Sequence, residues 1–190
     1  MSILKSVVAL FLVATTAAAA EDIGYFQVEG VVYDAAIPAP ETRFGFGLGE
    51  RPVRPEQMAA YLTEIAIMSD RISVETTGYS HEYRPIQFFV VTSPENHERL
   101  DEIREAHLAQ LDSDLPAGDG PGIYWVNYGV HGAESSGMDA AIPTLYHFAA
   151  ARGEAVETML ENSVILITAI FNPDGHAPVS YTHLTLPTKA

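Results

Sequence analysis

Residues 122–150 read GIYWVNYGVHGAESSGMDAAIPTLYHFAA, and the change of period inside this stretch sets the architecture. Ile123 to Val130 is a nearly continuous apolar run, as expected for a central strand covered on both faces. From Ser136 onward the apolar positions fall at helical spacing, with Met138, Ile142, Leu145 and Ala149 on one stripe. Pro143 fits that helix only in its first turn or two, or with a kink. Between strand and helix lies His131-Gly132-Ala133-Glu134. Gly132 lets the backbone bend tightly, and side chains at i and i+3 can point to the same side of a helix entrance. A neutral imidazole and a carboxylate are zinc donors, and three protein ligands plus a water make a catalytic zinc site.

Working outward, Ser163 to Phe171 is a second buried apolar run, and it ends in Asn172-Pro173-Asp174-Gly175. Asn172 and Asp174 are expected to build a turn there through local side-chain to backbone bonds. A short helix is expected over Glu154 to Glu161. Upstream, Pro55 opens a helix with Met58, Tyr61, Leu62, Ile65 and Met68 on its buried face, closed at Ser69-Asp70-Arg71. Ile72 to Thr77 and Ile86 to Thr92 read as a hairpin-like strand pair. Ser93 caps a further helix that starts at Pro94, with Leu100, Ile103, His107 and Leu111 on one stripe. Gln27 to Tyr33 holds a short strand. Strands alternating with helices imply an α/β fold, a mixed central sheet with helices on both faces. Ligands gather at the carboxyl ends of strands in such sheets, and His131 and Asn172 both lie just beyond strand ends.

The two ends of the chain stand apart from this pattern. Residues 1–20 carry Lys5, a short apolar core from Val7 to Val13, and Ala18-Ala19-Ala20. This is the pattern of a secretory signal peptide, with an uncleaved anchor as the alternative. A secreted or periplasmic protein, free of the membrane after cleavage, is the expectation. Residues 178–190, containing VSYTHLTLPT, break with the preceding periodicity and resemble the translation of a transposon-type sequencing adapter. Residues 21–177 are then the native segment, one domain at most. The formal charge of −15 argues against nucleic acid or an anionic membrane as partner. With no cysteine in the chain, a metal would have to sit on histidine and carboxylates.

An H-x-x-E string alone says little in a chain with seven histidines and twenty-five acidic residues. Its setting is more restrictive, and it is shared. His131 to Gly137, HGAESSG, and Asn172 to Gly175, NPDG, resemble the signature of the carboxypeptidase A/B-like zinc metallocarboxypeptidases. Gly78, Glu82, Arg84 and Pro85 are similar to that family's Gly-x-x-x-Glu-Gly-Arg-Pro hairpin, with Tyr83 in place of the second glycine. The resemblance spans roughly Gln57 to His176 and comprises three motifs in the family's order.

The resemblance implies a zinc-carboxypeptidase-like sheet, truncated on its C-terminal side, and a peptide substrate. It makes His131 and Glu134 two of three ligands to one Zn2+. The family's third ligand, its general base and its carboxylate-binding arginines lie downstream of NPDG and have no matching position in this chain. The chain by itself is therefore expected to be inactive. His176 is a candidate stand-in ligand, but the family does not use that position, and an exposed loop histidine is ordinarily just solvated. For Arg84, a buried positioning role and a hairpin salt bridge stand equally. Two other functions fit the same scaffold: a zinc amidohydrolase acting on peptidoglycan peptides or acylated amino acids, and a non-catalytic binding module.

Overall fold

A computed structural model describes residues 23–111, 118 and 120–182, with side chains to Ser180. The expected export signal lies outside that range, as do residues 183–190. In chain order the elements are a 3-10 turn at Ile23–Tyr25, β1 (Val32–Tyr33), α1 (Pro40–Phe44), α2 (Pro55–Met68), β2 (Ile72–Tyr79), β3 (Pro85–Val91) and α3 (Pro94–His97). They continue with α4 (Leu100–Leu111), β4 (Gly122–Asn127), α5 (Ser135–Ala150), β5 (Ala151–Arg152), α6 (Glu154–Glu161), β6 (Ser163–Thr168) and α7 (Pro173–Thr182).

The main sheet has the order β2-β3-β6-β4, and β1 pairs with β5 in a separate two-stranded ribbon. β3 runs antiparallel to both β2 and β6, whereas β4 and β6 are parallel. The sheet is mixed, as the alternation of strand and helix periods implied.

The core lies on the face covered by α2 and α5. Met58, Leu62 and Ile65 of α2 and Met138, Ile142, Leu145 and Ala149 of α5 are buried in one cluster with Phe89, Val91 and Ile167 of the sheet. Periodicity thus located these two stripes correctly, except that Ala66 takes the place of Met68, which is exposed. Pro143 sits in the third turn of α5, deeper than sequence alone placed it. Its missing N–H frees one carbonyl of the preceding turn.

Three local expectations are corrected. The helix opened by Ser93 is split: Ser93 Oγ accepts from the Asn96 N–H at 3.2 Å, and the first helix ends at His97 before α4 begins. Of the stripe assigned to α4, Ile103 is buried but His107 and Leu111 are exposed. β4 is the edge strand of the sheet, with Tyr124 and Trp125 exposed, the latter at 66 %. Its sequence suits a covered strand, but among the described residues nothing pairs with its outer edge.

Candidate metal centre

β4 and β6 deliver the two sequence motifs side by side. Their parallel register matches Tyr124 with Ile165 and Asn127 with Thr168. The ladder continues past both strands, because the Tyr128 N–H donates to Thr168 O, that of Phe171 to Tyr128 O, and that of Asn172 to Gly129 O (2.8, 3.0 and 2.9 Å). The chain leaving β4 turns at Gly129, whose φ of 67° favours glycine. It then closes a turn in which the Glu134 N–H donates to His131 O at 3.0 Å, and α5 begins at Ser135.

Asn172-Pro173-Asp174-Gly175 does not form a free-standing turn. It opens α7: Asn172 Oδ1 accepts the Gly175 N–H at 2.9 Å, and Asn172 O accepts that of His176 at 3.2 Å. Asn172 therefore makes the expected local bond, as a helix cap. Asp174 acts at long range instead. Its carboxylate accepts from Ser80 Oγ (2.7 Å), the Glu82 N–H (3.0 Å) and Arg84 Nη1 (2.8 Å). Burial alone would raise the Asp174 carboxyl, but these donors hold it below the usual carboxylate range. Arg84 also pairs with Glu56 and Glu82, so it is a half-buried hub joining the β2–β3 hairpin, α2 and α7. Its two readings from sequence merge in this arrangement.

The hairpin tip explains the departure at Tyr83. That residue has φ of 60°, is 85 % exposed, and donates its N–H to Ser80 O at 3.1 Å. A left-handed conformation is one that glycine adopts freely and a bulky residue does not. The tyrosine stands where the resemblance expects glycine.

Gly132 is buried, and a Cβ built on it would land on the backbone of Gly175. The HGAE loop and the start of α7 thus touch backbone to backbone. On either side of this contact His131 and Glu134 are exposed. Among the described residues, no hydrogen bond or ion pair engages either side chain. Glu134 occupies the N-cap position of α5 without using its carboxylate to cap. Both side chains are therefore accessible to solvent, their lone pairs uncommitted among the described residues. Among the described residues no third histidine or carboxylate gathers with them.

His176 is not the solvated loop residue the sequence suggested. It is completely buried, with Nε2 2.9 Å from Val53 O and Nδ1 3.4 Å from Gly132 O. Both ring nitrogens face carbonyls, which removes it as a stand-in ligand. Nearby, Asp139 accepts the Val53 N–H at 3.2 Å, and burial raises its carboxyl above the usual range. Neither Asp139 nor Val53 had a signal in the sequence, because their partners are more than eighty residues away. Of the remaining histidines, His81 and His107 are exposed, and His147 Nδ1 lies 2.7 Å from the Tyr33 hydroxyl.

A search of curated proteins returned no match. Among solved structures, the chain is similar to bovine thrombin-activatable fibrinolysis inhibitor (12% identity, 70% of this chain and 35% of that one, TM-score 0.47). It is also similar to carboxypeptidase A from Helicoverpa armigera (18%, 67% and 26%, 0.47). A third similar structure is a metallo-carboxypeptidase from Burkholderia cenocepacia (20%, 66% and 29%, 0.44). The chain thus spans about a third or less of the length of each of these structures. The family model for zinc carboxypeptidases, peptidase M14, matches residues 58–186. That match takes in the hairpin, the HGAE loop and the NPDG helix start, and the chain belongs to the zinc carboxypeptidase family.

Proposed function

We propose that this chain is the N-terminal part of an exported zinc-dependent metallocarboxypeptidase that hydrolyses C-terminal peptide bonds, with His131 and Glu134 as two of its zinc ligands. One observation carries the reading: the HGAE loop is locked on the NPDG helix start through Gly132 and Gly175, yet both donor side chains stay exposed and unengaged. A bound zinc supplies Lewis-acid polarisation of a carbonyl and activation of water at neutral pH. The chain's own part is to hold and orient. The imidazole of His131 and the carboxylate of Glu134 supply nitrogen and oxygen donors from the two ends of one tight turn. The Gly129 turn and the Gly132–Gly175 contact fix where that turn sits relative to the ends of β4 and β6. The third ligand, the general base and the groups that bind the substrate carboxylate belong, on this reading, to residues beyond 177, with 178–190 foreign to the protein.

Zinc uptake tests the site directly. Titration calorimetry on the chain should show Zn2+ binding that His131→Ala and Glu134→Ala each abolish, with the thermal melt of the metal-free chain unchanged. Uptake indifferent to both substitutions would refute the ligand assignment. The source DNA, read onward from codon 178, should continue in frame to a histidine, an arginine pair and a glutamate. A frame that lacks them would remove the peptidase reading.

A further inference from the structure

We infer that His176 is a positioning residue for the metal loop: its buried ring braces the carbonyl of Gly132 against that of Val53 and so sets the direction in which His131 and Glu134 point. The inference rests on the zinc site proposed above and deepens it.

Three observations converge on this side chain. It is completely buried although it sits in the first turns of α7, three residues past Pro173. Its two nitrogens reach different segments, Nε2 the loop ahead of α2 at Val53 O and Nδ1 the metal loop at Gly132 O. The residue before it, Gly175, is the one against which Gly132 packs. Gly132 is therefore held by backbone contact on one side and by an imidazole at its carbonyl. It lies between the two ligands, next to His131. A rotation of its peptide plane re-aims both donors, and a ring wedged against its carbonyl resists that rotation.

Val53 is itself anchored, because its N–H is bonded to Asp139 in the second turn of α5. The brace thus ties the loop ahead of α2, the metal loop, α5 and α7 into one closed circuit. A hydrophobic side chain of similar size would fill the cavity, but it would leave the carbonyl that takes the ring N–H without a donor. Buried volume is therefore separable from the positioning role.

Zn2+ titration of the full chain, each variant paired with its metal-free thermal melt, tests this. His176→Phe keeps an aromatic ring in the site and removes the ring N–H. It is expected to bind Zn2+ ~10-fold more weakly, the lower end of what loss of a ligand-orienting partner costs. His176→Gln, whose amide can still donate, should recover most of that affinity. A folded His176→Phe chain that binds Zn2+ as the wild type does overturns the inference. A second measurement needs no substitution: in the wild-type chain, the ring nitrogen resonances of His176 should move on Zn2+ addition, while those of the distant His147 stay fixed. His176 resonances that Zn2+ leaves in place also overturn it. If the wild type shows no His131-dependent uptake, the two-ligand loop of this chain does not hold Zn2+, and this inference fails with it. Normal wild-type uptake with an indifferent His176→Phe defeats only the positioning role.

Discussion

Two glycine-to-alanine substitutions five residues apart should move stability in opposite directions. At Gly132 the added methyl meets the α-carbon and carbonyl of Gly175. These are backbone atoms at the entrance to α7, held by the Asn172 cap, and they cannot swing aside as the end of a flexible side chain can. Overpacking of this kind costs about 1–3 kcal/mol, and an obstacle made of backbone places Gly132→Ala in the upper part of that range. At Gly137 the nearest atom is the Gly129 nitrogen at 3.9 Å, an ordinary contact. The residue lies in the first turn of α5, where alanine loses less backbone entropy than glycine and gains about 0.5–1 kcal/mol. For a domain of this size 1 kcal/mol shifts the melting temperature by roughly 2–4 °C. Gly132→Ala should therefore melt about 4–12 °C lower than the wild type and Gly137→Ala about 1–4 °C higher. Far-UV circular dichroism melts at matched concentration decide it. A Gly132→Ala chain that melts with or above the wild type would show that the HGAE loop and α7 do not touch at Gly175.

Two further outcomes follow from local chemistry. Tyr83→Gly should stabilise the chain by about 1 kcal/mol, because a left-handed conformation costs an L-residue roughly 1–2 kcal/mol and this exposed ring packs little. A lower denaturation midpoint in the variant would contradict that. Burial holds His147 below its ordinary value of 6.5, so on acidification the unfolded state takes up its proton first. The contribution is therefore complete above 6.5 and is lost as pH falls from there through the depressed folded value. Melts of the wild type between neutral and mildly acidic pH should fall more steeply than those of His147→Gln, and parallel curves would refute the linkage.

Much of this molecule was readable from the chain alone. The stripes of α2 and α5, the β2–β3 hairpin, the apolar runs of β4 and β6 and the order of the three motifs are local properties. They depend on spacing over four to twenty residues, which a sequence displays directly. The resemblance carried by those motifs placed the chain in its family, and it singled out His131 and Glu134. Departures began wherever a residue's role depended on a distant neighbour. Leu111 has an apolar side chain at a helical position but is exposed, and β4 has the composition of a covered strand but lies at the sheet edge. Asp174 looked like a turn residue and is an anchor for the hairpin ninety residues earlier. His176 looked like a solvated loop histidine because nothing near it in sequence shows the carbonyls of Gly132 and Val53. The sequence determined which residues carry metal-donor chemistry and that they lie between the strand β4 and the helix α5. The tertiary structure decided what holds them in place, because burial and hydrogen bonding between segments are set by the packing of the whole chain and leave no periodic trace along it.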